Sequence, residues 1–267
     1  MRGHRLAVQL GCIVITLFMG VPLYLIALAA LSSRQSLNRF PLSLLPTDVS
    51  GQTMSTFLQS TGIAGGLINS ITVGLSTVAL ALLIGLPAGY ALARWAFRGR
   101  DVYQLGLLLT RALPIVVLSV PLARIFLNTG LYDTTYAVVL LHTALALPTT
   151  ILISSAVFLG VSREQEEAAM IFGASPLAAF VRVVLPQALP GIAASAVFTF
   201  VLSWNEVLGA SILTLNRRTL PAQVFATLAD SPLVFRFAGG LALVLPALIF
   251  IAAVRRYLVN VWGTTLR

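Results

Sequence analysis

The sequence predicts an all-α integral membrane bundle of six transmembrane helices, and three observations carry that prediction. The 267-residue chain is 58% apolar and only 9% charged, with a mean hydropathy of +0.96, whereas a soluble domain averages about 25% charged residues. Six apolar stretches recur along it, each near the roughly 20 residues that a helix needs to cross about 30 Å of hydrocarbon. Its 17 positive side chains are all arginine, and they stand singly or in twos and threes between the apolar runs. A surface for nucleic acid requires basic residues clustered on a polar face. Arginine scattered through short loops is what sets the orientation of membrane helices, so lipid is the partner that fits and nucleic acid is not.

In chain order the stretches are Val8–Leu31, Ile68–Ala93, Tyr103–Leu127, Ala137–Gly160, Gly191–Thr214 and Phe237–Val254. None alternates polar with apolar residues as a barrel strand does. The first follows Arg2 and Arg5 and contains Ala27-Leu28-Ala29, which resembles a signal-peptide cleavage site. A signal's apolar core is about 7–15 residues, and this run is longer, so it is read as a retained helix. The whole chain, 1–267, is thus expected to form a single transmembrane domain.

Orientation follows from the loop arginines. With both termini on one side, that side holds ten, including Arg94, Arg98, Arg100, Arg163 and Arg182, against five on the other (Arg34, Arg39, Arg217, Arg218, Arg236). Both termini are therefore expected in the cytoplasm. The external segment from Ser32 to Leu67 is polar and punctuated by Pro41, Pro46 and Gly51. Gly85 and Gly89 form a G-x-x-x-G pair in the second span, a surface for close helix packing within the bundle. The single cysteine, Cys12, and the two histidines, His4 and His142, exclude a disulfide framework and a cysteine- or histidine-rich metal site.

Val161–Gln187, on the cytoplasmic side, is the most organised loop. Ser162 can cap a helix running through Arg163-Glu164-Gln165-Glu166-Glu167-Ala168-Ala169, whose acids suit the positive end of its dipole. Gly173 offers a left-handed stop, and Ser175-Pro176 reads as the N-cap and first position of a second helix, closed by Pro186.

Glu167-Ala168-Ala169, three residues, Gly173, nine residues, then Val183-Val184-Leu185-Pro186 resembles the "EAA" signature of binding-protein-dependent ABC importer permeases. The single departure is valine where that pattern has isoleucine. Asn69-Ser70, Tyr90-Ala91-Leu92-Ala93-Arg94, Thr110-Arg111-Ala112-Leu113-Pro114, Gly130-Leu131-Tyr132-Asp133-Thr134 and Ser203-Trp204-Asn205-Glu206 look like the carbohydrate branch of that family, and the six spans resemble its smaller, MalG-like member. The resemblance covers about Ile68 to Arg256. It implies the type I importer permease fold, with the loop as a coupling helix seated in a cytoplasmic ATPase. Glu164, Glu166 and Glu167 then meet basic groups, Ala168 and Ala169 allow close approach, Gly173 sets the corner, and Leu185-Pro186 close the motif. It also implies a second permease subunit, two ATPase copies carrying ATP and Mg, an extracytoplasmic solute-binding protein, and a place in a bacterial inner membrane. The chain itself has no G-x-x-x-x-G-K-[ST] and no lysine, so no nucleotide cofactor or ATPase chemistry is expected within it. Relatives often carry a glycine-rich tail, in place of which Trp262 stands here, so a tail contact with the ATPase is not expected.

Ionisable groups inside spans are costly and point to function. Trp204, Asn205 and Glu206 have the chemistry for sugar hydroxyls and a sugar's apolar face, although successive helical residues cannot all face one cavity. Glu206 is also placed to pair with Arg111 or Arg124. Arg111 lies within the third span, where it needs a partner or water, and Arg124 can snorkel outward. Asn69 is a further polar candidate for the pathway, although it and His142 fit a helix-to-helix hydrogen bond better than a sugar contact. The expected function is the permease subunit of an ATP-driven importer that moves a di- or oligosaccharide or related polyol by alternating access. The same architecture importing a polyamine or an oxyanion is an alternative, as is an ATP-independent carrier, which would leave the loop unexplained. A membrane-embedded enzyme would need a nucleophile and base or a metal cluster, and no such set is present.

Overall fold

The computed structural model describes residues 2–37, 44–46, 48–227 and 230–263. Arg39, Pro41 and the closing residues 264–267 lie outside them. Among the described residues every regular element is helical, apart from one isolated antiparallel bridge between Ser32 and Val49. The helices are α1 (Arg2–Ala30), α2 (Arg34–Leu37), α3 (Gln52–Leu58), α4 (Ile63–Arg94), α5 (Arg100–Thr110), α6 (Ile115–Thr129), α7 (Thr135–Leu159), α8 (Arg163–Ile171) and α9 (Pro176–Ala179). A π turn at Phe180–Val184 then leads into α10 (Leu185–Asn205), followed by α11 (Leu208–Leu213), α12 (Leu220–Thr227) and α13 (Leu233–Gly263). Five helices among the described residues are long and apolar enough to cross a membrane, and α5 with α6 together meet the same measure as a bent pair, which makes six if the pair is one span.

The chain divides into two compact units, Met1–Ala64 with Val224–Pro246, and Gly65–Gln223 with Ala247–Arg267. In the first, α1 keeps its apolar side chains outward, with 6% of its most apolar stretch buried, as suits a helix sheathed in lipid. Phe57 of α3 meets Phe235 of α13 edge to face at 6.1 Å. The Tyr24 hydroxyl donates to the Leu44 carbonyl at 2.8 Å.

In the second unit α7 is the central helix: 67% of its most apolar stretch is buried, against 28% in α4. With little apolar area to remove from water inside a bilayer, helices associate through close backbone approach and hydroxyl contacts. Gly85 and Gly89 supply the approach of α4, where an added Cβ would lie 2.7 Å from Thr150 Cγ2 and 2.7 Å from Ser154 Cβ respectively. Gly191 does the same for α10, at 2.3 Å from a Val157 methyl. The Thr150 and Thr199 hydroxyls meet at 3.1 Å between α7 and α10.

Two spans differ from the sequence expectation. Tyr103–Leu127 is not one helix: α5 and α6 meet at 86°. Pro114 has no amide hydrogen and disfavours the helical conformation at Leu113, and it serves as the extended N-cap of α6. Gly191–Thr214 is likewise interrupted. Its helix begins earlier, at Leu185, and stops at Asn205, because Glu206 turns extended (φ −76°, ψ 124°). The Glu206 carboxylate then accepts from the Gly209 and Ala210 amides at 2.8 and 2.9 Å, which starts α11 as a separate helix.

Candidate functional site

The loop after α7 is built almost wholly from local rules. Good helix formers run from Arg163 to Ile171 with Glu164 and Glu166 in the first turn. Ser162 holds the N-cap position without a side-chain cap bond, contrary to expectation. The Arg94 Nη2 instead reaches the preceding carbonyl, Val161 O, at 3.2 Å. At the other end Gly173 takes φ 92°, its amide donates to Met170 O and the Ala174 amide to Ala169 O, each at 3.0 Å. This paired closure is the Schellman motif, which needs a residue free to be left-handed. Ser175 Oγ accepts from the Ala178 amide at 3.2 Å, with Pro176 in the first turn of α9. Pro186 does not close that helix. It sits in the first turn of α10, where a missing N–H is tolerated, so the chain runs through the π turn into the span without a stop.

The result is a helical corner with an outward apolar tip. Ile171, Phe172 and Leu177 are 84%, 89% and 72% exposed. Glu164, Glu167 and Ala168 are also exposed, Ala169 is half-buried, and Glu167 pairs only with Arg163 one turn away, at 3.1 Å. Leu185 is half-buried and Pro186 exposed. Glu166 departs from its expected role: it is 6% exposed and turned inward. Its Oε1 accepts from the Tyr90 hydroxyl, and its Oε2 from Arg94 Nε at 2.8 Å. Tyr90 and Arg94 are four apart and therefore share a face of α4. That spacing was the available signal for a common partner.

Thr110, Arg111, Leu113, Leu145, Asn205 and Glu206 border a cavity of about 500 Å³ beside the α5–α6 break. Asn205 and Glu206 thus reach it, and Arg111 sits at the C-cap of α5 rather than within a continuous helix. Trp204 does not reach it, being 2% exposed and stacked on Phe200 at 5.7 Å. The expected pairing of Glu206 with Arg111 or Arg124 is also replaced. Its Oε2 meets His142 Nε2 at 3.0 Å, while His142 Nδ1 meets the Ser203 hydroxyl at 2.8 Å. A carboxylate only accepts, which assigns the Nε2 proton to this contact. His142 is fully buried in α7, so the imidazole joins α7 to the end of α10. With its oxygens taken by the imidazole and two backbone amides, Glu206 presents a hydrogen-bonded acidic edge to the cavity, and Arg111 and Asn205 bring donors.

At the opposite end of α4, Asn69 Nδ2 donates to Arg218 O at 3.1 Å and Ser70 Oγ accepts from the Leu220 amide at 2.7 Å. Asn69 therefore holds a loop and does not border the cavity. Asp133, left-handed at φ 59°, anchors the same loop. Its Oδ1 accepts from the amides of Leu215, Asn216 and Arg217 at 2.8, 2.8 and 3.1 Å. Burial raises the Asp133 pKa, but the bonds from the Asn216 side chain and from the Arg217, Leu215 and Asn216 amides outweigh it and bring it down to about 2.

The sequence model of the family described as binding-protein-dependent transport system inner membrane component matches residues 81–260. The chain is similar to the trehalose transport system permease protein SugB of Mycobacterium tuberculosis, 31% identical over 222 residues, 81% of this chain and 81% of that protein. It is also similar to the diacetylchitobiose uptake system permease protein NgcG of Streptomyces coelicolor, 32% identical over 206 residues, 77% of this chain and 66% of that protein. Among solved structures, a chain of a bacterial ABC transporter involved in the import of the acidic polysaccharide alginate shares its fold. The TM-score is 0.72 at 23% identity, covering 96% of this chain and 95% of that one.

Proposed function

The chain belongs to the family of binding-protein-dependent transport system inner membrane components, and we propose how it works as the permease subunit of an ABC importer. Its cargo is a di- or oligosaccharide or a related polyol, a reading supported by the trehalose and diacetylchitobiose permeases it is similar to and by the donors and acceptors around the cavity. It pairs with a second permease subunit on two copies of a cytoplasmic ATPase that hold ATP and Mg, and a solute-binding protein delivers the sugar from outside. Both termini and α8 face the cytoplasm of a bacterial cell, on the arginine balance of ten to five. Asp133 and the loop it anchors face the exterior.

The observation that carries this reading is the corner at Gly173, with Ile171 and Phe172 84% and 89% exposed beyond the membrane segments. Apolar side chains presented together to water mark a contact surface. Glu164 and Glu167 flank that tip as acids for basic groups on the ATPase, and Ala168 lets the backbone come close. ATPase closure then moves α8 as a rigid body, and the cavity by α5 and α6 exchanges inward for outward access as the two states are differentially stabilised.

The test is copurification from membranes expressing the chain with the second permease and ATPase of its own genome. The parent should retain both partners, while Phe172→Asp and Glu167→Lys should lose the ATPase and keep the second permease. A parent that purifies alone, or a Phe172→Asp chain that holds the ATPase as well as the parent does, overturns the docking assignment. Uptake competed by an oxyanion or a polyamine and not by disaccharides overturns the cargo.

A further inference from the structure

We infer that Glu166 is a positioning residue that fastens α8 to the end of α4, so that a displacement of α8 is delivered to two membrane helices at once. The inference rests on the reading of α8 as the ATPase-docking helix and goes beyond it. Glu166 is assigned the transmission of the movement and no part of the docking.

Three observations lead to it. The first is the division of labour among the acids of α8. Glu164 and Glu167 are exposed, whereas Glu166 is 6% exposed and turned toward α4. The second is the completeness of its contacts. The Tyr90 hydroxyl and Arg94 Nε each donate to a separate carboxylate oxygen, the latter at 2.8 Å, and Arg94 Nη2 also holds the Val161 carbonyl just ahead of α8 at 3.2 Å. One guanidinium thus grips both the backbone entering α8 and a side chain within it, in a planar fork that a flexible amine does not reproduce. A buried charge pair of this kind does not separate freely, because parting it leaves a buried charge uncompensated.

The third observation is where the two partners stand. Tyr90 is packed edge-on against Phe158 of α7 and Phe180 of the π turn, with ring centroids 5.6 and 4.6 Å apart. Phe180 opens the only covalent route from α9 into α10, and that route passes through a π turn, a wider and less regular winding than the α-helix on either side. Chain connectivity alone therefore moves α10. The contact of Glu166 with Tyr90 and Arg94 adds α4, a 32-residue helix whose far end holds Arg218 and Leu220 through Asn69 and Ser70.

The test uses the complete transporter in proteoliposomes, with binding protein and radiolabelled disaccharide, reading sugar moved and ATP hydrolysed in the same vesicles. Glu166→Gln, Arg94→Gln and the double variant are compared with the parent, after copurification has established that the ATPase is bound. The expected result is full ATPase occupancy with sugar moved per ATP reduced about fivefold or more, the lower end of typical coupling energies. The double variant should be no worse than the worse single one, because both act through one contact. A merely stabilising contact would lower the amount of complex and leave the ratio unchanged.

Parent-like sugar per ATP in Glu166→Gln overturns the inference, and so does loss of the ATPase from Glu166→Gln, which would make Glu166 a docking residue. Should the neutralised variants fail to assemble, Arg94→Lys and Tyr90→Phe preserve the charge balance and carry the same test. Both should assemble and lose part of the ratio, and parent-like values in both overturn the inference. Retention of the ATPase by Phe172→Asp marks failure of the docking reading instead, whatever the Glu166 variants do.

Discussion

Asp133 holds Asn216 through both carboxylate oxygens: the Asn216 amide donates to Oδ1 and its Nδ2 to Oδ2, each at 2.8 Å. The Leu215 and Arg217 amides converge on Oδ1 as well, so one carboxylate sets the path of three consecutive residues. Because these bonds favour the charged form, the folded pKa of about 2 lies below the ordinary 3.8. A depressed carboxylate pKa contributes stability above the ordinary value and loses it as pH falls through the folded one. Hydrogen exchange at Leu215–Arg217, corrected for intrinsic rates, should stay protected from neutral pH down to about 4 and lose protection below that, toward pH 2. Asp133→Asn keeps a residue that tolerates the left-handed backbone, removes the charge and replaces the oxygen that accepts from Asn216 Nδ2 with an NH2 donor. It should release the loop at neutral pH at a cost of about 1 kcal/mol, the low end for exposed bonds to a charged group.

Glu206 is a structural acid before it is a ligand. Glutamine in its place keeps one acceptor oxygen and turns an NH2 donor toward donors on the other side, so it cannot serve His142, Gly209 and Ala210 together, and Glu206→Gln should lower stability by about 1–3 kcal/mol. His142→Ala should do the same by removing the imidazole donor and leaving the carboxylate with the Gly209 and Ala210 amides alone. Thermal unfolding of the detergent-solubilised chain reads both. A double variant whose loss lies within about 0.5 kcal/mol of the sum of the two single losses would mean the two residues are not coupled.

The close approach of α4 to α7 makes a sharp contrast between two glycines. A Cβ at Gly89 would stand 2.7 Å from Ser154 Cβ and 2.9 Å from the Ile151 carbonyl oxygen, while one at Gly106 would meet nothing within 4 Å. Gly89→Ala should therefore destabilise by about 1–3 kcal/mol through overpacking, and Gly106→Ala should be neutral or stabilise α5 by about 0.5–1 kcal/mol. Melting temperatures in one detergent decide it, and equal shifts would contradict the packing described.

Gly173→Ala meets no neighbour within 4 Å, yet it forces a side chain into φ 92°. The expected outcome is a strained corner costing about 1 kcal/mol, seen as faster loss of ATPase on washing with an unchanged melting temperature of the membrane part. A parent-like wash profile would show that the corner angle is immaterial to docking.

The spans were legible because long apolar runs admit few alternatives in a bilayer, and the corner at Gly173 was legible because its cap, stop and proline signals are all local. What the sequence concealed depended on tertiary partners. The apolar run across Arg111 and Pro114 reads as continuous, and only the bend separates α5 from α6. Glu206 looked like a partner for arginine because the imidazole that meets it lies 64 positions away. Glu166 shared a short acidic stretch with Glu164 and Glu167, and helical phase alone could not say which of the three turns inward without knowing where Tyr90 and Arg94 stand.

The right-angled joint at Arg111–Pro114 has a mechanical consequence. A straight span pushed along its axis slides past its neighbours and leaves the spacing between helix axes unchanged. Two rods meeting at 86° behave as a crank: a thrust along α5 arrives at α6 as a sideways swing. Since α11 packs beside α6 and its first turn is held by Glu206, such a swing would alter the space around Asn205 and Glu206. A change in the tilt of α5 would thus be felt first at the cavity it borders with α7 and α10.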